Sequence, residues 1–557
     1  MKVVEITISI IAFLTIWILL AIHGSGPIFS DELLYTDIGL RNLQVPDYGN
    51  RYFHVYAQKL FMALAPTPLT GVKIYWGFIV ALTALLVYWN ARNFFKHSTA
   101  LHGLLAVGFF LSYRFISQYC GDTAADISAM TMTTILLSLY LYYLRSGRTQ
   151  RWAVFALGLV VFLGFKTKET TIFGDAILLG LFFDEEGKFS FKNILPIIKP
   201  FLLGVAGGIG VFIILDSIFL HSPFFAINPS TFATVVNHYD YQGYFKAEPS
   251  SYYTVYLLVD LMVPFLLYLL SGVKNYGIDE TISKKIVWLF PLLLALFMTL
   301  NQLKIIWGFL ERFYFPALPV IAILAPQFIN FDELKTFKDK FKQAALLLAG
   351  LVLVVVLRQV FTNVTENMAW DYGHFLDTIF VPVVLSALLI IAILVKKFNW
   401  WSSVIPATLI VSLLMAPWLF NEKYIFRIPF TVDYFNQLYY PFVTNKDAIQ
   451  YRSDMQFYFS GSLETQLQML SSDRNEFTAM FNIFFNGRAS DKNFTLEMKP
   501  ISISDDIAAR RFDYVLITEK DWELVSANLG TEQKINQTYQ QYPDPKNQVM
   551  LLKAKPS

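Results

Sequence analysis

The sequence predicts a polytopic α-helical membrane protein of about 13 transmembrane helices that ends in a small extracytoplasmic α/β domain. Of its 557 residues, 55% are apolar and only 15% are charged, whereas soluble domains contain about 25% charged residues. The apolar residues also form blocks about as long as the bilayer hydrocarbon is thick. A water-soluble chain of this composition would expose too much apolar surface, so we interpret the blocks as membrane spans.

The apolar blocks recur through the first three quarters of the chain. The first one is too long for the h-region of a signal peptide and no small-x-small cleavage site follows it, so we interpret it as a span. Several blocks are shorter than a usual span and must use flanking aromatic residues or lie inside the bundle. The expected spans are 5–23, 74–91, 100–116, 127–144, 152–165, 170–183, 198–219, 254–271, 286–300, 305–326, 344–357, 378–395 and 402–420.

Basic residues predict the orientation of these spans. With Lys2, the basic residues of alternate loops all fall on one side of the membrane, which the positive-inside rule assigns to the cytoplasm. The N-terminus is then cytoplasmic and the C-terminal domain lies outside the cell (inner) membrane. The loops carry Arg92/Lys96, Arg145/Arg148/Arg151, Lys188/Lys192, Lys274/Lys284/Lys285, Lys335/Lys338/Lys340/Lys342 and Lys396/Lys397.

Composition divides the chain into two parts. Residues 1–420 form the transmembrane part, with long outer loops at about 24–73 and 220–253, and residues 421–557 have the composition of a soluble domain. In this second part, 512–518 is typical of a buried strand, 519–529 of a helix and 549–553 of a final strand.

The charge balance and the cysteine content exclude several classes. A net charge of +2 argues against a polyanion-binding protein, and nothing resembles a nucleic-acid-binding module. The single cysteine, Cys120, excludes an intramolecular disulfide framework. Five of the seven histidines are expected on the outer side, but they lack the spacing of a metal motif.

The sequence Ser30-Asp31-Glu32 follows the first span within a few residues. Acidic residues beside the hydrocarbon are costly and call for a reason. One interpretation is a helix N-cap at Ser30 or Asp31, for a helix that continues through Leu33-Leu34-Tyr35. The other is a functional carboxylate pair, and the two interpretations are compatible.

Two further outer segments carry charges. Asp122 and Asp126 lie four residues apart before the fourth span, where they could complement a helix dipole or belong to a site. The turn 166–170 reads Lys-Thr-Lys-Glu-Thr and is expected outside, against the positive-inside trend. Its lysines suit an anionic ligand such as a phosphate, and the alternative is an internal ion pair with Glu169.

Arg312 begins another span on the expected outer side. An arginine in this position either extends its charge to the interface or binds an anion.

Together these features resemble the GT-C glycosyltransferase superfamily, in particular the branch that holds the protein O-mannosyltransferases and the lipid A aminoarabinose transferases. The resemblance covers about residues 1–330 and the plan of about 13 helices with an external C-terminal domain. The segments that match family motifs, in order, are Asp31-Glu32 in the first outer loop, 71–95 with its basic Lys73, Asp126 before the fourth span, 156–171 with Thr167-Lys168, the aromatic-rich 250–267, and 312–325 beginning with Arg312.

One segment departs from the family pattern. Many relatives carry His-Pro-Pro in the first outer loop, whereas the corresponding region here reads Asn50-Arg51-Tyr52-Phe53-His54. A role for His54 therefore cannot be copied from the family.

The resemblance implies transfer of one sugar from a polyprenyl-phosphate donor to a lipid, glycan or protein acceptor, outside the cytoplasm and with inversion. Asp31 would act as the base, and Glu32 would orient the acceptor or bind a divalent cation. Lys168 and Arg312 would stabilise the leaving lipid phosphate, with Asp126 and Asp122 as supporting acidic residues.

Two alternatives remain open from the sequence. A transporter or flippase would also have many spans, although it would place ionisable residues near mid-bilayer on broken helices. A non-catalytic member of the family would bind a lipid-linked glycan without transferring its sugar.

Overall fold

The fold is described from a computed structural model. It covers residues 3–23, 30–66, 68–95, 98–113, 125–183, 188–189, 191, 194–225, 227–228, 231, 264–265, 267–269, 271, 282–302, 311–328, 456–460, 495–499, 507–527, 529–544 and 549–556. The expected spans 344–357, 378–395 and 402–420, most of 254–271, and Asp122 lie outside these residues.

Helices occupy the expected spans wherever the chain is described. They are α1 (Val3–His23), α4 (Pro68–Asn93), α5 (Ala100–Ser112), α6 (Ala125–Arg145), α7 (Arg151–Phe165), α8 (Thr171–Asp175) with the 3-10 helix Ala176–Phe182, α9 (Leu195–Phe219), α10 (Ile282–Gln302), and α11 (Leu318–Leu324) between the 3-10 helices Glu311–Ala317 and Ala325–Phe328. The chain is thus an α-helical protein of the membrane type, while the total of about 13 spans stays a prediction.

Within the described residues, three helical segments are long and apolar enough to cross a membrane: Thr70–Asn93, Ala125–Arg145 and Leu195–Phe219. They occupy different positions in the bundle. In the most apolar 18-residue stretch of each segment, 72% of Ala125–Arg145 is buried inside the protein, compared with only 22% of Leu195–Phe219. Helix α6 is therefore central, and α9 is peripheral with a face available to lipid.

The first long outer loop is helical where it is described. It contains α2 (Ser30–Arg41), the 3-10 helix Pro46–Arg51 and α3 (Tyr52–Leu64). The helix predicted to continue through Leu33-Leu34-Tyr35 is confirmed. We call these three segments together the loop cap. They pack on the end of α9 through a buried cluster that includes Tyr35, Tyr52, Val55, Tyr56 and Phe212.

The two ends of the bundle are separate, as alternating spans require. At the end with the basic loops, Arg145 donates to the Asn93 carbonyl at 2.6 Å, and Gln327 joins Ser98 to the Ala91 carbonyl. At the opposite end, α6, α7 and α9 meet the loop cap. The sequence assigns the first end to the cytoplasm, and that direction stays a prediction.

The C-terminal residues form a mixed five-stranded sheet with the strand order β2-β1-β3-β5-β4. Its strands are β1 (Gln456–Ser460), β2 (Thr495–Lys499), β3 (Tyr514–Thr518), β4 (Tyr539–Asp544) and β5 (Val549–Ala554), and its helices are α12 (Glu519–Ser526) and α13 (Leu529–Thr538). The two strands and the helix predicted here are confirmed, and Thr518 caps the helix by accepting from the Asp521 N–H. The domain boundary at 420/421 stays a prediction.

Helices α7 and α9 pack closely because glycines face each other. A Cβ on Gly158 would lie 2.0 Å from the Phe201 carbonyl oxygen, and one on Gly204 would lie 1.9 Å from that of Phe155. By contrast, a Cβ on Gly210 of α9 would meet nothing within 4 Å.

Gly158→Ala should therefore destabilise the protein by about 1–3 kcal/mol, because the two helices must move apart. Gly210→Ala is the matched control and should stabilise by up to about 1 kcal/mol through helix propensity. Thermal unfolding of both variants in detergent measures the difference. Equal midpoints for the two would contradict the close packing.

Candidate functional site

The turn 166–170 joins α7 to α8, and all five of its residues are buried. Backbone hydrogen bonds close it: the Lys168 N–H donates to the Gly164 carbonyl at 3.0 Å, and the Thr171 N–H donates to the Lys168 carbonyl at 3.1 Å. A turn this tight directs its three charged side chains to three different parts of the protein.

Lys168 lies against Asp126. Its Nζ is 2.7 Å from Asp126 Oδ2, and both side chains are almost fully buried, with exposed fractions of 3% and 1%. Asp126 lies in the first turn of α6, where a carboxylate also complements the helix dipole. The structure thus joins two residues that the sequence singled out separately. Lys168 thus pairs with Asp126, while the sequence alternative of an internal pair with Glu169 stays a prediction.

Glu169 pairs with Arg51 of the loop cap. Arg51 Nη2 lies 3.2 Å from Glu169 Oε1, and Nη1 donates to the Tyr35 hydroxyl. The guanidinium carbon also lies 5.6 Å from the ring centre of Tyr35 and 5.5 Å from that of Tyr48. One arginine therefore holds the turn, α2 and the 3-10 helix Pro46–Arg51 together.

Lys166 points to another part of the loop cap. Its Nζ donates to Asn50 Oδ1 at 3.1 Å, and the Phe53 N–H donates to its carbonyl at 3.0 Å. Burial lowers the pKa of Lys166 to about 8, although the negative charge of Asp216 opposes this shift. Asp216 itself accepts from the Tyr56 hydroxyl at 2.6 Å.

His54 joins the loop cap to α4 and α6. Its Nδ1 lies 2.8 Å from Ser128 Oγ, and the Tyr75 hydroxyl lies 2.8 Å from the same oxygen. Ser128 follows Asp126 by two residues, so this buried contact fixes α3 next to the start of α6.

The acidic pair lies in the first turn of α2. The side chain of Glu32 is fully buried, and its carbonyl accepts from the Thr36 hydroxyl at 2.8 Å. Gln58 of α3 donates to the same hydroxyl at 2.9 Å. Asp31 belongs to the same turn, and the position of its side chain is not among the described features.

Arg312 lies in the 3-10 helix Glu311–Ala317, which packs against α6 and α8. Its backbone therefore runs beside the helix that carries Asp126, whereas its side chain lies outside the described features, as does the whole of Asp122. The structure thus brings Lys168 and Asp126 together, and the roles of all six predicted site residues stay a proposal.

Several residues of this site were not among the predicted ones. Arg51 and Lys166 had a sequence signal, because both are basic residues on the side that the positive-inside rule leaves poor in basic residues. Asp216 and Ser128 had no signal of their own. Across the described transmembrane part, the buried charged side chains gather at this one end of the bundle: Glu32, Asp37, Arg51, Asp126, Lys166, Lys168, Glu169 and Asp216.

Metal binding was left open by the sequence. Among the residues with described positions, no group of three or more His, Cys, Asp or Glu side chains could hold a metal ion. A divalent cation near Glu32 stays a prediction.

No family model and no curated protein matches the chain. Among solved structures, it is similar to ArnT from Cupriavidus metallidurans in the apo state, with a TM-score of 0.49 and 14% identity over 99% of both chains. For ArnT bound to undecaprenyl phosphate, the TM-score is 0.49 and the identity 12% over 100% of both chains. For the archaeal oligosaccharyltransferase AglB from Archaeoglobus fulgidus, in complex with an inhibitory peptide and a dolichol-phosphate, the TM-score is 0.38 and the identity 11% over 98% of this chain and 74% of that one.

The lowered pKa of Lys166 predicts a pH effect on stability. Between pH 8 and 10.5 the unfolded chain binds this proton and the folded protein releases it, so stability should rise with pH across that window. Since one pKa unit is about 1.4 kcal/mol, the full rise is on the order of 3 kcal/mol. Below pH 8 the folded protein also holds this proton, so the full free-energy cost of burying the charged lysine remains.

Thermal unfolding at pH 7.5 and 10 measures this rise. Lys166→Met should remove it, whereas Lys188→Met, which changes an exposed lysine, should keep it. An unchanged rise in Lys166→Met would assign the effect to another group.

Proposed function

We propose that the protein is a membrane glycosyltransferase that moves one sugar from a polyprenyl-phosphate donor to an acceptor hydroxyl at the outer face of the membrane. The observation that carries this proposal is the buried Lys168–Asp126 pair, at the end of α6 where Ala125 packs in one cluster with Tyr35 of α2. Charges buried at a membrane surface are costly, and a polar substrate on a lipid carrier gives a reason for them. ArnT and AglB have structures with polyprenyl phosphates, and the proposed donor is of that class.

The reaction is a single displacement. The acceptor oxygen attacks the anomeric carbon while Asp31 takes the hydroxyl proton, because a neutral hydroxyl is a poor nucleophile. The bond from the anomeric carbon to the phosphate oxygen breaks, and the lipid phosphate leaves with the electron pair. One displacement inverts the anomeric configuration.

The charge that grows on the leaving phosphate needs preorganised cations. Lys168 is held by Asp126 before any donor binds, so its position costs little reorganisation during the reaction. Arg312 begins the segment packed against α6 and would supply a second cation. Glu32, in the same turn as Asp31, would orient the acceptor or bind a divalent cation.

A transporter is less well supported by the distribution of charge. Transport sites lie near the bilayer midplane on interrupted helices. The buried charges of the described transmembrane part lie instead at one end of the bundle, which suits chemistry at the membrane surface.

The direct test incubates the purified protein in lipid nanodiscs with a panel of polyprenyl-phosphate sugars and measures released polyprenyl phosphate and glycosylated acceptor. Release coupled to acceptor glycosylation by at least one donor is expected. Transport of a lipid-linked glycan with no release would favour the transporter instead.

Asp31→Asn should lower kcat by about 10²–10⁴-fold, because the variant cannot accept the hydroxyl proton. Asp37→Asn is a matched control on the same helix, since the Asp37 carboxylate pairs with Arg41. Donor turnover under saturating substrates measures both. Near-wild-type turnover by Asp31→Asn would remove Asp31 from the role of base.

Lys168→Ala and Arg312→Ala should each lower kcat/KM for the donor by about 10²-fold, through the loss of a charged donor to the phosphate. Because Lys168→Ala leaves Asp126 buried without its cation, Lys168→Met with Asp126→Asn provides a variant without either charge. Steady-state kinetics with varied donor and varied acceptor measure the effect. A change in acceptor selectivity alone would show the phosphate assignment to be wrong.

A further inference from the structure

Arg51 contacts both halves of the proposed site through one residue each. On one side its guanidinium binds the hydroxyl and faces the ring of Tyr35. On the other side it pairs with Glu169 at 3.2 Å. The side chain of Arg51 is buried among these partners, so its position is set by them and not by solvent.

The partners of Arg51 are neighbours of the proposed reacting groups. Tyr35 follows Asp31 by four residues on α2, about one turn along the same helix. Glu169 follows Lys168 directly in the turn. Arg51 is thus bonded directly to α2, which carries Asp31, and to the turn that carries Lys168.

We propose that Arg51 is a positioning residue, a clasp that sets the distance between the α2 turn carrying Asp31 and the turn carrying Lys168. This inference rests on the proposed function for its catalytic consequence. Asp31 and Lys168 do not lie on one helix. Asp31 lies on α2 in the loop cap, and Lys168 lies in the turn between α7 and α8. The clasp joins these two segments directly.

The chemistry of arginine suits this role. Its planar fork binds a carboxylate and a hydroxyl in fixed directions at once, and its faces stack on aromatic rings. A lysine keeps the charge but has neither the fork nor the plane. Lysine should therefore not replace Arg51 functionally, although it should preserve the folded protein.

The kinetic test uses Arg51→Lys, Glu169→Gln and the double variant. Each single variant should lower kcat about tenfold or more and leave the KM for donor and acceptor within about threefold, since small displacements of reacting groups reduce rate more than binding. The double variant should be about as active as the weaker single variant, because both break one interaction. If the double variant lost activity by the product of the two single losses, or if the variants changed KM alone, the clasp would be overturned.

Lys59→Met is the matched control. Lys59 also ties α3 to α2, through the Gly39 carbonyl at 3.0 Å and Asn42, but at the far end of α2 from Asp31. This variant should loosen the loop cap and keep kcat within about threefold of wild type. An equal loss of kcat in Lys59→Met would mean that general loosening of the cap, rather than the clasp, governs the rate.

Hydrogen exchange tests the clasp without any substrate. Arg51→Lys should speed amide exchange in both 30–41 and 166–171, whereas Lys59→Met should speed it in 30–41 alone. Faster exchange in only one segment of Arg51→Lys would overturn the clasp. If the wild-type protein transfers sugar from none of the donors, the proposed function fails, and exchange alone then decides whether Arg51 joins the two segments.

Discussion

The burial of charge at one end of the helix bundle is the constraint on which the rest of the site depends. Removing an ion from water costs several kcal/mol even after the protein relaxes, unless a partner lies within reach. The turn 166–170 carries three charged side chains, all buried. Their partners come from α6 and from the loop cap. Satisfying this one turn therefore fixes where these two distant segments meet.

The remainder of the described bundle is held by a different kind of contact. Helices α7 and α9 approach so closely at Gly158 and Gly204 that neither position has room for a Cβ. Between α4 and α6, the hydroxyls of Thr83 and Thr131 are hydrogen-bonded at 2.8 Å. Lipid offers no hydrophobic force between helices, so close packing and internal hydrogen bonds must supply their association. The bundle thus provides a closely packed support for its charged end, where we propose that the chemistry takes place.

Hydropathy predicted the helices well because a span is a local property of about 20 successive residues. The site was predictable only in pieces. Asp126 and Lys168 each stood out beside a span, but their pairing joins residues 42 positions apart, and no local pattern determines such a partner. Neighbouring residues of a tight turn point in different directions, so Glu169 reaches Arg51, 118 positions away.

Charge balance also limits how a phosphate could enter this cluster. With every group ionised, the eight buried charged side chains of this end are three cations, Arg51, Lys166 and Lys168, and five carboxylates, those of Glu32, Asp37, Asp126, Glu169 and Asp216. Such a cluster does not attract an anion by its net charge. A bound phosphate would need a further positive charge in a medium where Coulomb interactions are strong. Arg312, on the segment that packs against α6, and a divalent cation near Glu32 are the two sources that the sequence suggests. In the proposed mechanism, Lys168 would contribute by its fixed position, and the added cation would provide the attraction that brings the donor phosphate to it.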